Sequence, residues 1–286
     1  MVCPGNPCDS QPQGCFGSVA YAYNIGTYEV TNSQYAEFLN AVADTDTYAL
    51  YSTPDDLAGV TRSGSSGSYS YSTIAGRSDM PVVLVSFYNA LRFANWLHNG
   101  QPTGAQDGTT TEGGAYTLTQ QGIDDNSIVR NPGAVFAVAN EDEWYKAAYY
   151  AGTSTSYFDY PAGSNATTIC AAPTAAPNHA NCDQPDFADA GSYAGSASFY
   201  GTFDQGGNVF ERNEAIINGS NRGVRGGDAF HSASRLVASD RGSAPPDGEF
   251  SNVGFRVVPE PAARDVFMIL GMLGIGYLEK RRAVTR

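Results

Sequence analysis

The sequence predicts a single α+β domain, rich in loops and poor in regular secondary structure, on three observations. A short apolar strand, a capping residue and an amphipathic helix follow one another in three separate segments. Between them lie long Ser, Thr, Gly and Tyr stretches with turn chemistry and no sustained period, "TRSGSSGSYSYSTIAGRSD" among them. The composition suits neither a disordered nor a coiled-coil chain: 42% of residues are hydrophobic, only 16% are charged, and there are 32 glycines, 15 prolines and 18 tyrosines. At 286 residues such a chain can bury a substantial core.

The first segment, "YNIGTYEVTNSQYAEFLNAV", places a strand at Tyr28 to Val30. Thr31 with Gln34 three residues on makes a capping box, and Tyr35, Phe38, Leu39 and Val42 follow at helical spacing. The second, "MPVVLVSFYNALRFANWL", predicts a strand over Val82 to Val85, Ser86 as N-cap, and a helix whose Phe87, Ala90, Leu91, Ala94 and Leu97 share a face. His98 then sits against the C-terminal dipole with Gly100 as the stop. In the third, "AVFAVANEDEWYKAAYY", Asn140 caps, Glu141, Asp142 and Glu143 favour the positive helix end, and Trp144, Ala147 and Ala148 point inward. From Ala151 to Ser220 the chain reads as loop with short strands, so metal ions or a disulfide are expected to hold it.

A formal charge of -13 disfavours nucleic acid or an anionic membrane surface, which need Lys and Arg to displace counter-ions. Cations are the expected partners. Lys146, four residues after Asp142, predicts a solvated helical ion pair rather than a catalytic lysine. The five cysteines form no CxxC; Cys170 and Cys182 read as a disulfide, and Cys3, Cys8 and Cys15 leave one cysteine without an assigned role. Acid pairs such as Asp228 with Asp240 or Asp247 with Glu249 come without evidence of a cleft, and there is no nucleophile elbow, P-loop or dinucleotide fingerprint. Arg222, Arg225, Arg235, Arg241 and Arg256 read as partners for acids such as Glu211, Glu214 and Asp240 that lock the C-terminal half.

Taken in order, "YEVTNSQYAEFLNAV", "MPVVLVSFYNALRFANWL", "NEDEWYKAAYY", "GTFDQGGNVFERNEA" and "RGVRGGDAFHSASRLVASDRGSAPPDGEFSNVGFRVV" resemble the formylglycine-generating, sulfatase-modifying factor family. The resemblance runs over 18–258 and implies a C-type-lectin-like fold with little regular secondary structure. It also implies calcium. The segment "DQGGNVFE" places family calcium ligands on Asp204, Gly207, Val209 and Glu211, two carboxylates and two backbone carbonyls on a Gly-Gly turn. The family's Trp-Glu-Trp is Phe210-Glu211-Arg212 here, which keeps the acid but changes its cover. A second implied calcium set comprises Asn181, the carbonyl of Cys182 and an acid among Asp183, Asp186 and Asp189, with Asp186 taken as the ligand.

The resemblance does not extend to copper chemistry. Archetypal members hold copper(I) with two cysteines shortly after Arg-Gly-Gly, whereas "GGDAFHSASRLVASDRG" has none and no cysteine follows Cys182. No copper is expected. Nor do His98, His179 and His231 show the helical spacing of the family's iron-dependent branch. His231 and Ser232 remain as candidates to line a repurposed cleft.

The tail at 259–286 joins Pro259-Glu260-Pro261, an apolar run from Val266 to Leu278 and the basic cluster Lys280, Arg281 and Arg282. It resembles the PEP-CTERM sorting signal, which an exosortase cleaves at the membrane. Residues 1–17 carry no basic and apolar leader, so the natural start is expected upstream. The combined expectation is an exported, envelope-associated protein, transiently membrane-anchored, acting as a calcium-stabilised, non-catalytic binding or matrix module for a carbohydrate or protein ligand. The alternative is a formylglycine-generating-type oxidoreductase acting on a sulfatase cysteine with unorthodox ligands.

Overall fold

Three helices start where their caps place them. The computed structural model describes residues 15–53, 55–152 and 156–259. Helix α1 (Asn32–Val42) opens on Thr31, whose Oγ1 accepts from the Gln34 amide while the Gln34 side chain accepts from the Thr31 amide. Helix α2 (Phe87–His98) is capped by Ser86, and α4 (Glu141–Tyr149) by a second capping box between Asn140 and Glu143. A short α3 (Gln120–Asp124), capped by Thr119, was not anticipated. The inward stripe of α1 meets α2 through edge-on rings, Phe38 to Phe93 with centroids 5.4 Å apart, and Phe255 closes on Phe93 at 5.5 Å. A second, smaller core gathers Trp144, Tyr145 and Tyr149 of α4 under Val258.

Around these lie short strands: β1 (Val60–Ser63) and β2 (Ser70–Thr73) in a hairpin, β3 (Phe136–Val138), and the parallel pair β4 (Ile169–Cys170) and β5 (His179–Ala180). The largest sheet has the order β8-β7-β6-β9, built from β6 (Phe210–Ile217), β7 (Asn221–Arg225), β8 (Gly242–Ala244) and β9 (Val253–Gly254). Strand β6 turns into β7 at Asn218 and Gly219, with φ of 51° and 77°. Those left-handed positions explain the Asn-Gly dipeptide. Strand β10 (Val257–Pro259) runs antiparallel to β3. The Cys170–Cys182 disulfide ties β4 to the end of β5, so a covalent link and short ladders hold the long middle segment. Cys15 is also disulfide-bonded. Cys3, Cys8, Glu260, Pro261, the run Val266 to Leu278 and the basic cluster lie outside the described residues.

Several expectations need correction. Neither Tyr28 to Val30 nor Val82 to Val85 is a strand: Val82 donates to the Val30 carbonyl and Val30 to that of Phe255, but the chain bends at Tyr28 and at Leu84, where φ is 60°. Lys146 is buried and donates to the Val19 carbonyl at 3.1 Å, and Asp142 accepts from the Gly17 amide at 2.7 Å. The chain at 16–23 packs over α4 and takes both charges, so no Asp142 pair forms. His98 does end α2, but its Nδ1 accepts from the Val135 amide at 2.9 Å and burial lowers its pKa. It therefore acts as a neutral acceptor rather than as a cation on the helix dipole.

The arginine expectation holds in part. Arg256 pairs with Glu211 and Arg235 with Asp240. Arg225 and Arg241 instead converge on Glu141, at 2.8 and 2.6 Å, and Glu214 pairs with Arg130 at 3.0 Å. Arg222 binds Asn126 and the Glu214 carbonyl rather than a carboxylate.

Candidate functional site

Four charged side chains meet where the N-terminal segment, the loop before β6, strand β6 and the turn between β9 and β10 converge. Glu211 and Arg256 form a paired fork, Nε to Oε2 at 2.5 Å and Nη2 to Oε1 at 2.6 Å, and neither side chain is exposed. Trp144 Nε1 donates to Glu211 Oε2 at 2.7 Å. The remaining Arg256 donors go to the carbonyls of Gly26, Thr27 and Phe203. Asp204, held at φ 60°, accepts from the Gly191 amide at 2.6 Å. Glu29 is 2% exposed; its Oε1 accepts from Asn208 at 3.2 Å, and its Oε2 is buried without a hydrogen-bond partner.

One arginine thus faces three acids. Burial first, then the charges of Asp204 and Glu211, raises the Glu29 carboxyl well above its usual range. Burial lifts Asp204 to about 6, against the pull of the Gly191 amide and Arg256. Of the four residues implied as calcium ligands, Asp204 and Glu211 contribute carboxylates to this group, and both Glu211 oxygens already accept from Arg256 or Trp144. Gly207 has φ 85°, and a Cβ there would strike the Asn181 carbonyl, so the tight turn admits only glycine. Among the described residues no group of three or more His, Cys, Asp and Glu side chains is placed to hold a metal. Such a cation would therefore depend on the Gly207 and Val209 carbonyls, and it would share Glu211 with Arg256.

The second set is occupied by protein partners. Asn181 donates to the Asp186 carbonyl and to Asn208, the Cys182 carbonyl accepts from Gln184, and the Asp186 carboxylate lies 2.6 Å from Arg77. These residues are brought together by a protein hydrogen-bond network that leaves the Asp186 carboxylate facing Arg77.

In the segment after Arg225-Gly226-Gly227, the fully buried Asp228 organises a turn. Its Oδ1 accepts from the Phe230 and His231 amides at 3.0 Å and lies 2.6 Å from His231 Nδ1, while Oδ2 accepts from Asn252 at 2.5 Å. The His231 side chain is 47% exposed, edge-on to Phe210. Ser232 and Ser234 share a hydrogen bond at 2.9 Å on the surface beside it. His179 is not part of this group; its ring nitrogen meets the Pro177 carbonyl.

Sequence reasoning missed Glu29, because an acid inside an apolar stretch was read only as strand. Tyr28 beside it is half-buried and Val30 buried, and no local pattern distinguishes Glu29 from a solvated acid. It also missed Arg212, whose fully buried guanidinium donates to the carbonyls of Val85, Pro245 and Gly248 in place of an acid.

The fold has relatives of known structure. CarF superposes with a TM-score of 0.52 at 20% identity, over 83% of this chain and 86% of that one. Treponema denticola variable protein 1 superposes with a TM-score of 0.51 at 20% identity, over 91% and 92%. Both support the fold alone. A comparison with curated protein sequences finds no match. The family model of the sulfatase-modifying factor enzyme 1-like domain matches 17–261, which takes in every site described above. The mixed, loop-rich architecture and that match together place the chain in the sulfatase-modifying factor family.

Proposed function

We propose that this family member is an exported, envelope-associated protein that acts as a calcium-stabilised, non-catalytic binding or matrix module. The observation that carries the reading is the segment after Arg225-Gly226-Gly227, where a buried Asp228 holds His231 and no thiol is present. Two thiolates are the soft ligands copper(I) needs, and an imidazole beside two hydroxyls does not replace them. Calcium is supported by the negative excess around Arg256 and would be held by Asp204, Gly207, Val209 and Glu211. There it would neutralise buried charge and tie the loop before β6 to the sheet. A second calcium would draw on Asn181, Cys182 and Asp186 only by displacing Arg77.

Export rests on the PEP-CTERM-like tail, with an exosortase-type protease as sorting partner and a carbohydrate or protein of the envelope as ligand. The other reading, a formylglycine-generating-type oxidoreductase with unorthodox ligands, would draw on the half-exposed His231 ring held by Asp228. Copper titration with oxygen consumption on a cysteine-containing sulfatase peptide separates the two. No turnover is expected; any turnover refutes the binding-module reading. Thermal melting in calcium and in chelator tests the stabilising ion, and equal melting temperatures would refute it.

A further inference from the structure

The chain holds two Asn-Gly dipeptides, Asn99-Gly100 at the end of α2 and Asn218-Gly219 between β6 and β7. Such a pair is open to attack from within the chain, because the nitrogen of the second residue must swing onto the asparagine Cγ and glycine has no side chain to obstruct it. The fold treats the two pairs differently. Asn99 donates from Nδ2 to the carbonyls of Thr110 at 3.0 Å and Gly113 at 2.8 Å, and the Gly100 amide donates to the Leu97 carbonyl at 3.1 Å. The group that would be attacked and the group that would attack are both held.

Neither group is held at Asn218. That residue, Gly219 and Ser220 are all exposed, and a Cβ placed on Gly219 would meet no atom within 4 Å. Among the described residues, the Asn218 carboxamide and the Gly219 amide have no hydrogen-bond partner. The bond that closes the turn runs from the Ser220 amide to the Ile217 carbonyl at 3.3 Å and bypasses both. The left-handed φ values of 51° and 77° are what select Asn and Gly at these two places, so the demands of the turn bring the labile pair together.

We propose that Asn218 is a site of spontaneous modification, converting in the folded chain to aspartate and isoaspartate while Asn99 is preserved. The Gly219 nitrogen attacks Asn218 Cγ, the new C–N bond closes a cyclic imide, and Nδ2 leaves as ammonia with the proton that Gly219 gives up. Water then opens the ring. Cleavage of the bond to Cγ gives aspartate, whereas cleavage at the main-chain carbonyl leaves Gly219 joined through Cγ and adds one carbon to the main chain. No oxidant, metal or second protein takes part. Each event adds a negative charge to a chain already at -13. In the isoaspartate form the extra carbon falls between Ile217 and Asn221, which face each other where β6 meets β7.

The test is to age the full chain at mildly alkaline pH and to follow both peptides in one digest by mass spectrometry, with enzymatic methylation of isoaspartate as a second readout. The Asn218 peptide should exchange NH for O at least about tenfold faster than the Asn99 peptide, whose two side-chain hydrogen bonds must first break. In urea, where the protection given by the fold is gone, the two rates should draw level. Gly219→Ala, which has room for its methyl group although φ there is strained, should slow the loss at Asn218 severalfold. An Asn218 peptide that stays intact in the folded chain overturns the proposal. So does loss from Asn99 and Asn218 at equal rates in the folded chain, or loss at Asn218 that appears only in urea. A mass change without methylation, or one unaffected by Gly219→Ala, overturns the imide route and the proposal with it.

Discussion

Arg256 and Glu211 meet through two short hydrogen bonds between side chains with no solvent exposure, and Trp144 donates to the same carboxylate. Removing one partner strands the other charge in the interior. Arg256→Met is expected to destabilise the fold by about 3–5 kcal/mol in urea denaturation. The double change with Glu211→Gln should cost clearly less than the sum of the single changes. Strict additivity would show that the pair is not coupled.

The Asp204 carboxyl, lifted to about 6, binds a proton more tightly in the folded than in the unfolded state. Stability from this group is therefore full at low pH and falls as pH rises toward 6, by up to about 3 kcal/mol, with Glu29 adding in the same direction. Denaturation midpoints measured in chelator should show this falling slope, and Asp204→Asn should flatten it.

Calcium favours the ionised carboxylates, so it should remove most of that slope and raise the melting temperature near neutral pH. At a hundredfold excess over its dissociation constant the gain is about 2.7 kcal/mol. The gain should disappear in Asp204→Asn. If that variant keeps the full calcium effect, the ion is bound elsewhere.

Asp228 serves four donors from a fully buried position, whereas His231 is half in solvent. Asp228→Ala should cost about 2–4 kcal/mol through stranded donors, and His231→Ala less than about 1 kcal/mol. A large loss of stability in His231→Ala would mark that ring as a support of the turn rather than a free surface group.

The Cys170–Cys182 bond closes a loop with a sequence separation of 12. Replacing both cysteines by alanine is expected to cost about 2–4 kcal/mol. Limited proteolysis should then cut first between Thr168 and Tyr193, while β6 and β7 stay protected.

The sequence revealed the starts of the three longer helices, which depend on near neighbours. Thr31 with Gln34, Ser86 with Asn89 and Asn140 with Glu143 are contacts three residues apart, and all three helices begin where those pairs place them. The bond between Cys170 and Cys182 was legible for the same reason. What failed was distant pairing. Val30 and Val82 lie opposite each other without forming a ladder, and no local pattern encodes the left-handed Leu84 that stops one. Lys146 and Asp142 look like a helical ion pair until the chain at 16–23 folds over them. The family resemblance supplied Asp204 and Glu211, and the arginine reading supplied Arg256 as a partner of Glu211, but neither brought Glu29 to the group, since these residues span most of the chain.

The hydrogen bond from Trp144 to Glu211 also gives the molecule an optical reporter. The chain has two tryptophans, and the other, Trp96, donates to the Pro102 carbonyl in a separate core. An indole held against a buried carboxylate changes its emission when the charge beside it changes. In a Trp96→Phe background, fluorescence from the single remaining indole would follow proton uptake or ion binding at the acids around Arg256, with no attached dye.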